Sequence, residues 1–290
     1  MKPPPFHYHD PETVSDAVGL LSRLENPKLL AGGQSLMAMM NMRYAQPDHV
    51  IDLNRIADLA YVRRDGGSLR IGAMTRQRNL EFSELVRDAC PVLHEAIFHI
   101  GHRQTRNRGT IGGSLCHLDP SAELAAIAAL HDAVLTIRGT RGSRDIAFGD
   151  FAVGFMTPAL EPDELLVEIC LPLWPQPHGH AFIEFARRHG DFAMASAAAL
   201  LSTDSAGRIE RAALAVGGVA ATPVRVTEGE RLLLGKSLDE ATLKAAAEAC
   251  KTIEPLDDIH APADYRRHLG EVLAFRALKK AAGRLQPGGR

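Results

Sequence analysis

Two pairs of adjacent glycines, each placed where an apolar run changes character, constrain this chain most. They lie in Leu30-Ala31-Gly32-Gly33-Gln34-Ser35-Leu36 and, eighty residues on, in Arg106-Asn107-Arg108-Gly109-Thr110-Ile111-Gly112-Gly113-Ser114. A backbone that gives up side chains at two such points is shaped to approach something closely. Glycine removes the steric block and admits positive φ, while amides at a helix start attract negative charge. A diphosphate held from two sides satisfies both conditions. The spacing is not the dinucleotide fingerprint, because Gly32 and Gly33 are adjacent and no third glycine follows in step. Gly235-Lys236-Ser237 imitates the end of a P-loop, but Glu230 stands where that motif requires its first glycine.

Apolar periodicity predicts an α+β chain. Helices are expected over 13–24, from Ser35 through Met37 and Met40 to Tyr44, and over 91–101 and 121–130. Strands are expected over 28–31, 49–53 and 68–73, then over 133–138, 143–148 and 164–171 in antiparallel succession. The first strand, glycine turn and helix make a small β-turn-α-β unit with the turn at the strand's carboxyl end, where α/β proteins place ligands. The proline-rich stretch 172–179 predicts a boundary near Pro175. Before it lies a domain over 1–175 in two parts, about 1–55 and 56–175; after it lies a smaller domain over 176–290. The latter should hold three antiparallel strands (180–187, 195–202, 209–216) and helices over 224–234, 239–252 and 263–282.

Several functions are excluded. A net charge of −2 and no basic run argue against nucleic acid. The amino terminus has no apolar core of signal-peptide length, and the longest apolar stretch, 122–137, is broken by Glu123, His131 and Asp132, so a cytoplasmic chain without a membrane span is expected. Cys90, Cys116, Cys170 and Cys250 form no C-x-x-C pair, which removes a disulfide framework, a zinc site and an iron–sulfur cluster from this chain. His7-Tyr8-His9 and the His99/His102 pair have no third ligand nearby, so no metal site is expected. Met37, Met39, Met40 and Met42 are read as core packing, and Asp58, Glu81 and Glu84 as solvated helix-face charges.

The residues 31–36, with Pro47-Asp48-His49-Val50-Ile51-Asp52-Leu53-Asn54, resemble the FAD-binding medium subunit of molybdenum hydroxylases, the family of aerobic carbon monoxide dehydrogenase and xanthine dehydrogenase. The second glycine motif, followed by His117-Leu118-Asp119-Pro120-Ser121-Ala122-Glu123, resembles that family's second FAD motif, and Glu164-Leu165-Leu166 and 182–193 extend the likeness over nearly the whole chain. The resemblance implies a two-part FAD-binding domain of the vanillyl-alcohol-oxidase/molybdenum-hydroxylase flavoprotein type, with FAD bound non-covalently, and a C-terminal α+β domain of the carbon monoxide dehydrogenase flavoprotein type. It implies that Leu29, Leu30, Ala31, Gly32, Gly33, Gln34, Ser35 and Leu36 wrap one side of the diphosphate, and that Thr110, Ile111, Gly112, Gly113 and Ser114 close on the other. Asp119 and Glu123 are implied as acidic residues at the cofactor, Ile100 and Leu166 as apolar contacts, and Asp191 and Phe192 as members of a loop beside the isoalloxazine ring. Glu184 stands where many members carry a lysine near the cofactor.

The implied function is electron transfer. Substrate is oxidised at the molybdenum cofactor of a large partner subunit, electrons cross two [2Fe–2S] clusters on a small partner, reach FAD here and leave to an external acceptor, in a dimer of heterotrimers. The cysteine pattern agrees, since a chain without cluster ligands must receive its electrons from another polypeptide. Two rival readings are a free-standing FAD-dependent oxidoreductase and a cofactor-free assembly subunit. The lack of a large substrate-capping domain after Pro175 speaks against the first. The intact glycines and hydroxyls of both turns speak against the second.

Overall fold

The computed structural model describes residues 1–285. Three sheets follow one another along the chain. The first is parallel, with β1 (His7–His9), β2 (Pro27–Leu30) and β3 (His49–Asp52) in the order β1-β3-β2. The helix Val14–Arg23 covers it, burying Ala17, Val18 and Leu21, and its start is capped by Thr13, whose Oγ1 accepts from the Asp16 amide at 3.1 Å. β1 has no alternating pattern in sequence; it is a strand only because β3 offers it a free edge.

The second sheet is antiparallel and five-stranded, in the order β4-β5-β10-β6-β7. Its strands are β4 (Val62–Asp65), β5 (Ser68–Gly72), β6 (Val134–Gly139), β7 (Gly142–Ala147) and, beyond a small hairpin of β8 (Ala152–Gly154) and β9 (Thr157–Pro158), β10 (Leu165–Pro172). The helices Pro91–Ile97 and Glu123–Leu130 pack with it into one core with Leu69, Ile71, Leu135 and Ile169.

The third sheet orders β11 (Gly179–Phe185), β12 (Ala195–Thr203), β13 (Ile209–Gly217) and β14 (Val224–Arg225) antiparallel. The sequence predicted three strands and a helix from 224; Val224 and Arg225 instead pair with Val216 and Ala215, and the helix begins at Thr227. β12 is alanine-rich because it is buried on both faces. Ala198 and Leu200 join the core of the middle sheet, whereas Ala197, Ala199 and Leu201 join a second core against the long helix Ala263–Gly283. Small side chains let the helix Glu123–Leu130 lie close on β12 and β13. Arg225 fastens its carboxyl end, where Nη1 donates to the carbonyls of Ala129 and Leu130 at 3.2 and 3.1 Å and to Asp132 at 2.7 Å. Just before its amino end, the Pro120 carbonyl accepts from the Gly218 amide, just past the end of β13, at 2.7 Å.

No helix among the described residues is long and apolar enough to cross a membrane.

Candidate cofactor site

The first glycine turn leaves the carboxyl end of β2. Gly33 takes φ +74°, the left-handed conformation that glycine adopts without strain. Among the described residues the amides of Gly32, Gly33, Gln34, Ser35 and Leu36 meet no protein acceptor. Successive N–H groups around a left-handed residue form a concavity that binds anions. The helix expected from Ser35 to Tyr44 is the short Leu36–Asn41, and Ser35 before it has a helical backbone and a hydroxyl that makes no cap bond. Met40 is fully buried behind the turn, while Met42 is exposed.

The second turn touches the first. A Cβ on Gly32 would lie 2.3 Å from the Arg108 carbonyl oxygen, and one on Gly113 would lie 3.3 Å from the Ala31 Cβ. The two turns nevertheless differ in chemistry. The amides of Ile111, Gly112, Gly113 and Ser114 are all bonded, to Thr75 O at 3.1 Å, Ala73 O at 2.8 Å, Thr110 Oγ1 at 3.0 Å and Thr110 O at 3.2 Å. The second turn therefore contributes clearance and the Ser114 and Thr110 hydroxyls, whereas the first contributes free amides.

Two residues with no role assigned from sequence stitch the turns together. Arg76 donates through Nη1 to the Arg108 carbonyl and through Nη2 to Asn54 Oδ1, and Asn54 donates to the Ala31 carbonyl at 3.0 Å. Burial and the nearby Arg108 lower the Arg76 pKa while the Asp52 carboxylate acts to raise it, and among the described residues no carboxylate lies within ion-pair distance of Arg76. A half-buried cation that forms no ion pair among the described residues, at the same seam as a run of free amides, suits an anionic ligand. Asn54 closes a motif visible in the sequence; nothing local marks Arg76.

The helix Ile111–His117 then leads away from the turns, and its seven residues span ~10 Å at 1.5 Å each. At its far end three loops converge. Asp119 Oδ1 accepts from the Ser121 amide at 2.8 Å, and the Ser121 hydroxyl donates to the Ala193 carbonyl at 2.8 Å, which ties this corner to the loop of Asp191 and Phe192. Gly190, at φ +89°, lies so close to His102 that a Cβ would stand 2.4 Å from the imidazole. Ile100 is set by Arg106, whose Nη1 donates to its carbonyl at 2.9 Å while Nε pairs with Glu81 at 2.9 Å. Glu81 is thus a buried anchor held by Arg106 and Arg78 and not the solvated charge the sequence suggested; those bonds hold its pKa down against burial.

Glu123 and Glu184 act on one another at this corner, and burial is the chief cause that raises both carboxyl pKa values. The structure therefore collects Ile100, Asp119, Glu123, Asp191 and Phe192 at one end and residues 31–36 with Thr110, Gly113 and Ser114 at the other. Phe192 is 74% exposed, while Ile111 and Leu166 belong to the core. His99 is spent on Phe182, with ring centroids 5.2 Å apart, and no metal-binding cluster exists among the described residues.

Comparison with known proteins gives concordant matches. Residues 4–174 match the family described as the FAD binding domain in molybdopterin dehydrogenase, and residues 180–281 match the CO dehydrogenase flavoprotein C-terminal domain. The 6-hydroxypseudooxynicotine dehydrogenase complex subunit alpha of Paenarthrobacter nicotinovorans is 38% identical over 289 residues, covering 99% of this chain and 98% of that protein. The carbon monoxide dehydrogenase medium chain of Hydrogenophaga pseudoflava is 38% identical over 286 residues, covering 98% and 99%. A solved carbon monoxide dehydrogenase from Hydrogenophaga pseudoflava, lacking the Mo-pyranopterin moiety of its molybdenum cofactor, superimposes with TM-score 0.96 at 38% identity over 99% of this chain and 100% of that one.

Proposed function

Because the chain belongs to the FAD-binding medium subunits of the molybdenum hydroxylase family, we propose that it is the port through which such a complex releases its electrons. It carries the FAD-binding domain and is an oxidoreductase subunit. A large partner holds the molybdenum cofactor and oxidises the substrate, and a small partner holds the [2Fe–2S] clusters. Two such heterotrimers assemble in the cytoplasm and hand electrons to an external acceptor. FAD, when bound, supplies the redox centre between one-electron donors and that acceptor.

The observation that carries this reading is the seam between the glycine turns, which holds the free amides of Gly32 to Leu36 and is stitched by Arg76, a cation with no ion pair among the described residues. These groups would hold the diphosphate, assisted by the hydroxyls of Ser35, Thr110 and Ser114, with Leu29, Leu30, Ile111, Gly112 and Leu166 packed behind. Ile100, Asp119 and Glu123 would frame the ring end, and Asp191 and Phe192 the side open to the acceptor. The FAD unit occupies 1–175 and the smaller unit 176–290. Neither glycine motif presents a histidine or cysteine for covalent attachment, so acid precipitation of the purified protein should leave its yellow colour in the supernatant.

The decisive experiment uses the full chain alone and with its partners. Alone, its flavin should be reduced by dithionite but not by carbon monoxide, purines or heteroaromatic substrates, and adding the molybdenum and iron–sulfur subunits should restore substrate-driven bleaching. Rapid substrate-dependent bleaching of the isolated chain overturns the proposal.

A further inference from the structure

We propose that Tyr8, Asp52 and Asn54 are positioning residues for Arg76: they fix its guanidinium at the seam through a neutral amide and so keep its charge for the diphosphate. This rests on the FAD reading above. The relay begins outside the site, on the edge strand β1, where the Tyr8 hydroxyl donates to Asp52 Oδ2 at 2.7 Å across 44 positions of sequence. Asp52 ends β3, and its other oxygen, Oδ1, accepts from the Asn54 backbone amide at 2.9 Å and from Asn54 Nδ2. Asn54 Nδ2 also donates to the Ala31 carbonyl at 3.0 Å, while Asn54 Oδ1 accepts from Arg76 Nη2. Arg76 Nη1 in turn donates to the Arg108 carbonyl. An unbroken run of hydrogen bonds thus joins β1 to both glycine turns.

The chemistry of the partners fixes the direction of that run. A carbonyl and a carboxylate only accept and a guanidinium only donates, so the Asn54 amide fits one way round, nitrogen to Ala31 and Asp52 and oxygen to Arg76. The amide separates an acid from a base that would otherwise pair. Asp52 is the carboxylate that acts on Arg76, and it is linked to the guanidinium only through Asn54. A direct ion pair would spend the cation, whereas a neutral spacer orients it and leaves it for a phosphate. Tyr8 engages the Asp52 oxygen that Asn54 does not use. That bond is the largest cause pushing the Tyr8 hydroxyl up to about 12.

A local role does not account for Tyr8. Asp52 caps the short turn Leu53–Arg55 through Oδ1 alone. Tyr8 is 56% exposed, so its ring adds little to the core. Its hydroxyl is the part with a partner, and that partner leads to the seam.

The test is FAD titration of the full apoprotein, with a thermal melt of each variant. Tyr8→Phe deletes only the hydroxyl and should weaken FAD binding about 2- to 10-fold, the range of one net hydrogen bond, while melting like the wild type. In an Arg76→Ala background the same substitution should change the dissociation constant by less than about twofold, because the group it positions is gone; a hydroxyl with a merely structural role gives equal losses in both backgrounds. Asn54→Asp keeps the shape but sets a carboxylate against Arg76. It should bind FAD more weakly than Asn54→Ala and with a shallower salt dependence than the wild type, whereas a simple stitch would favour the closer isostere. The Tyr8 cycle carries the test if Asn54→Asp does not fold. A wild type that binds no FAD defeats the cofactor reading and this proposal with it. Wild-type affinity in Tyr8→Phe, equal losses in both backgrounds, or an Asn54→Asp that binds FAD at least as tightly as Asn54→Ala overturns the relay alone.

Discussion

Replacing Gly32 by alanine tests the seam at its tightest point. The new Cβ would stand 2.3 Å from the Arg108 carbonyl oxygen and 2.8 Å from the Gly109 Cα, both backbone atoms that cannot swing aside. The two turns must part by about 1 Å, and overpacking of that kind costs about 1–3 kcal/mol. Without FAD the loops can relax outwards, so the folded protein should survive. With FAD both turns must close on one diphosphate, and the strain returns as lost affinity. At 1.4 kcal/mol per factor of ten, the FAD dissociation constant should rise by about 5- to 150-fold. Titration of apoprotein with FAD, followed by flavin fluorescence quenching, measures this directly, with circular dichroism to establish the fold. Gly154→Ala is the control, since nothing lies within 4 Å of its Cβ. FAD affinity in Gly32→Ala within twofold of the wild type, with an unchanged melt, refutes the placement of the diphosphate at this seam.

Other outcomes follow from the same geometry. Gly33→Val forces a side chain onto φ +74°, at a backbone cost of about 1–2 kcal/mol, and Gly113→Val drives a side chain towards Ala31; both should purify folded but nearly colourless, which an absorbance spectrum decides. Arg76→Ala removes charge-assisted bonds of about 1.5–3 kcal/mol, so FAD affinity should fall at least tenfold and depend less on salt. Glu81→Ala strands the buried Arg106 guanidinium and should destabilise the protein by about 3–5 kcal/mol in urea unfolding. The Glu123–Glu184 pair binds protons more tightly folded than unfolded, so its contribution to stability is present at low pH and is lost as pH rises through the folded values of about 7 and about 8. Glu184→Gln should therefore flatten the alkaline fall of the melting temperature, and an identical fall in both proteins contradicts the assignment.

The glycine pairs, the β2–turn–helix–β3 unit and the antiparallel strands after 133 were legible in the sequence because each rests on local signals: steric permission, alternation and apolar period. The absence of cluster ligands was equally local, since no C-x-x-C pair exists to be brought together. What tertiary structure decided was partnership. Two similar glycine motifs divide their labour because Thr75, Ala73 and Thr110 occupy the amides of the second, while nothing among the described residues occupies those of the first. Arg76 and Asn54 matter through carbonyls and amides that lie 22 to 32 positions away. Glu81 reads as a surface charge until Arg106 is folded onto it. β1 and β14 are too short to carry a period and exist only because neighbouring strands offer edges. Glu123 and Glu184 stand sixty-one positions apart in sequence, and act on one another only once the helix Glu123–Leu130 is laid on the third sheet.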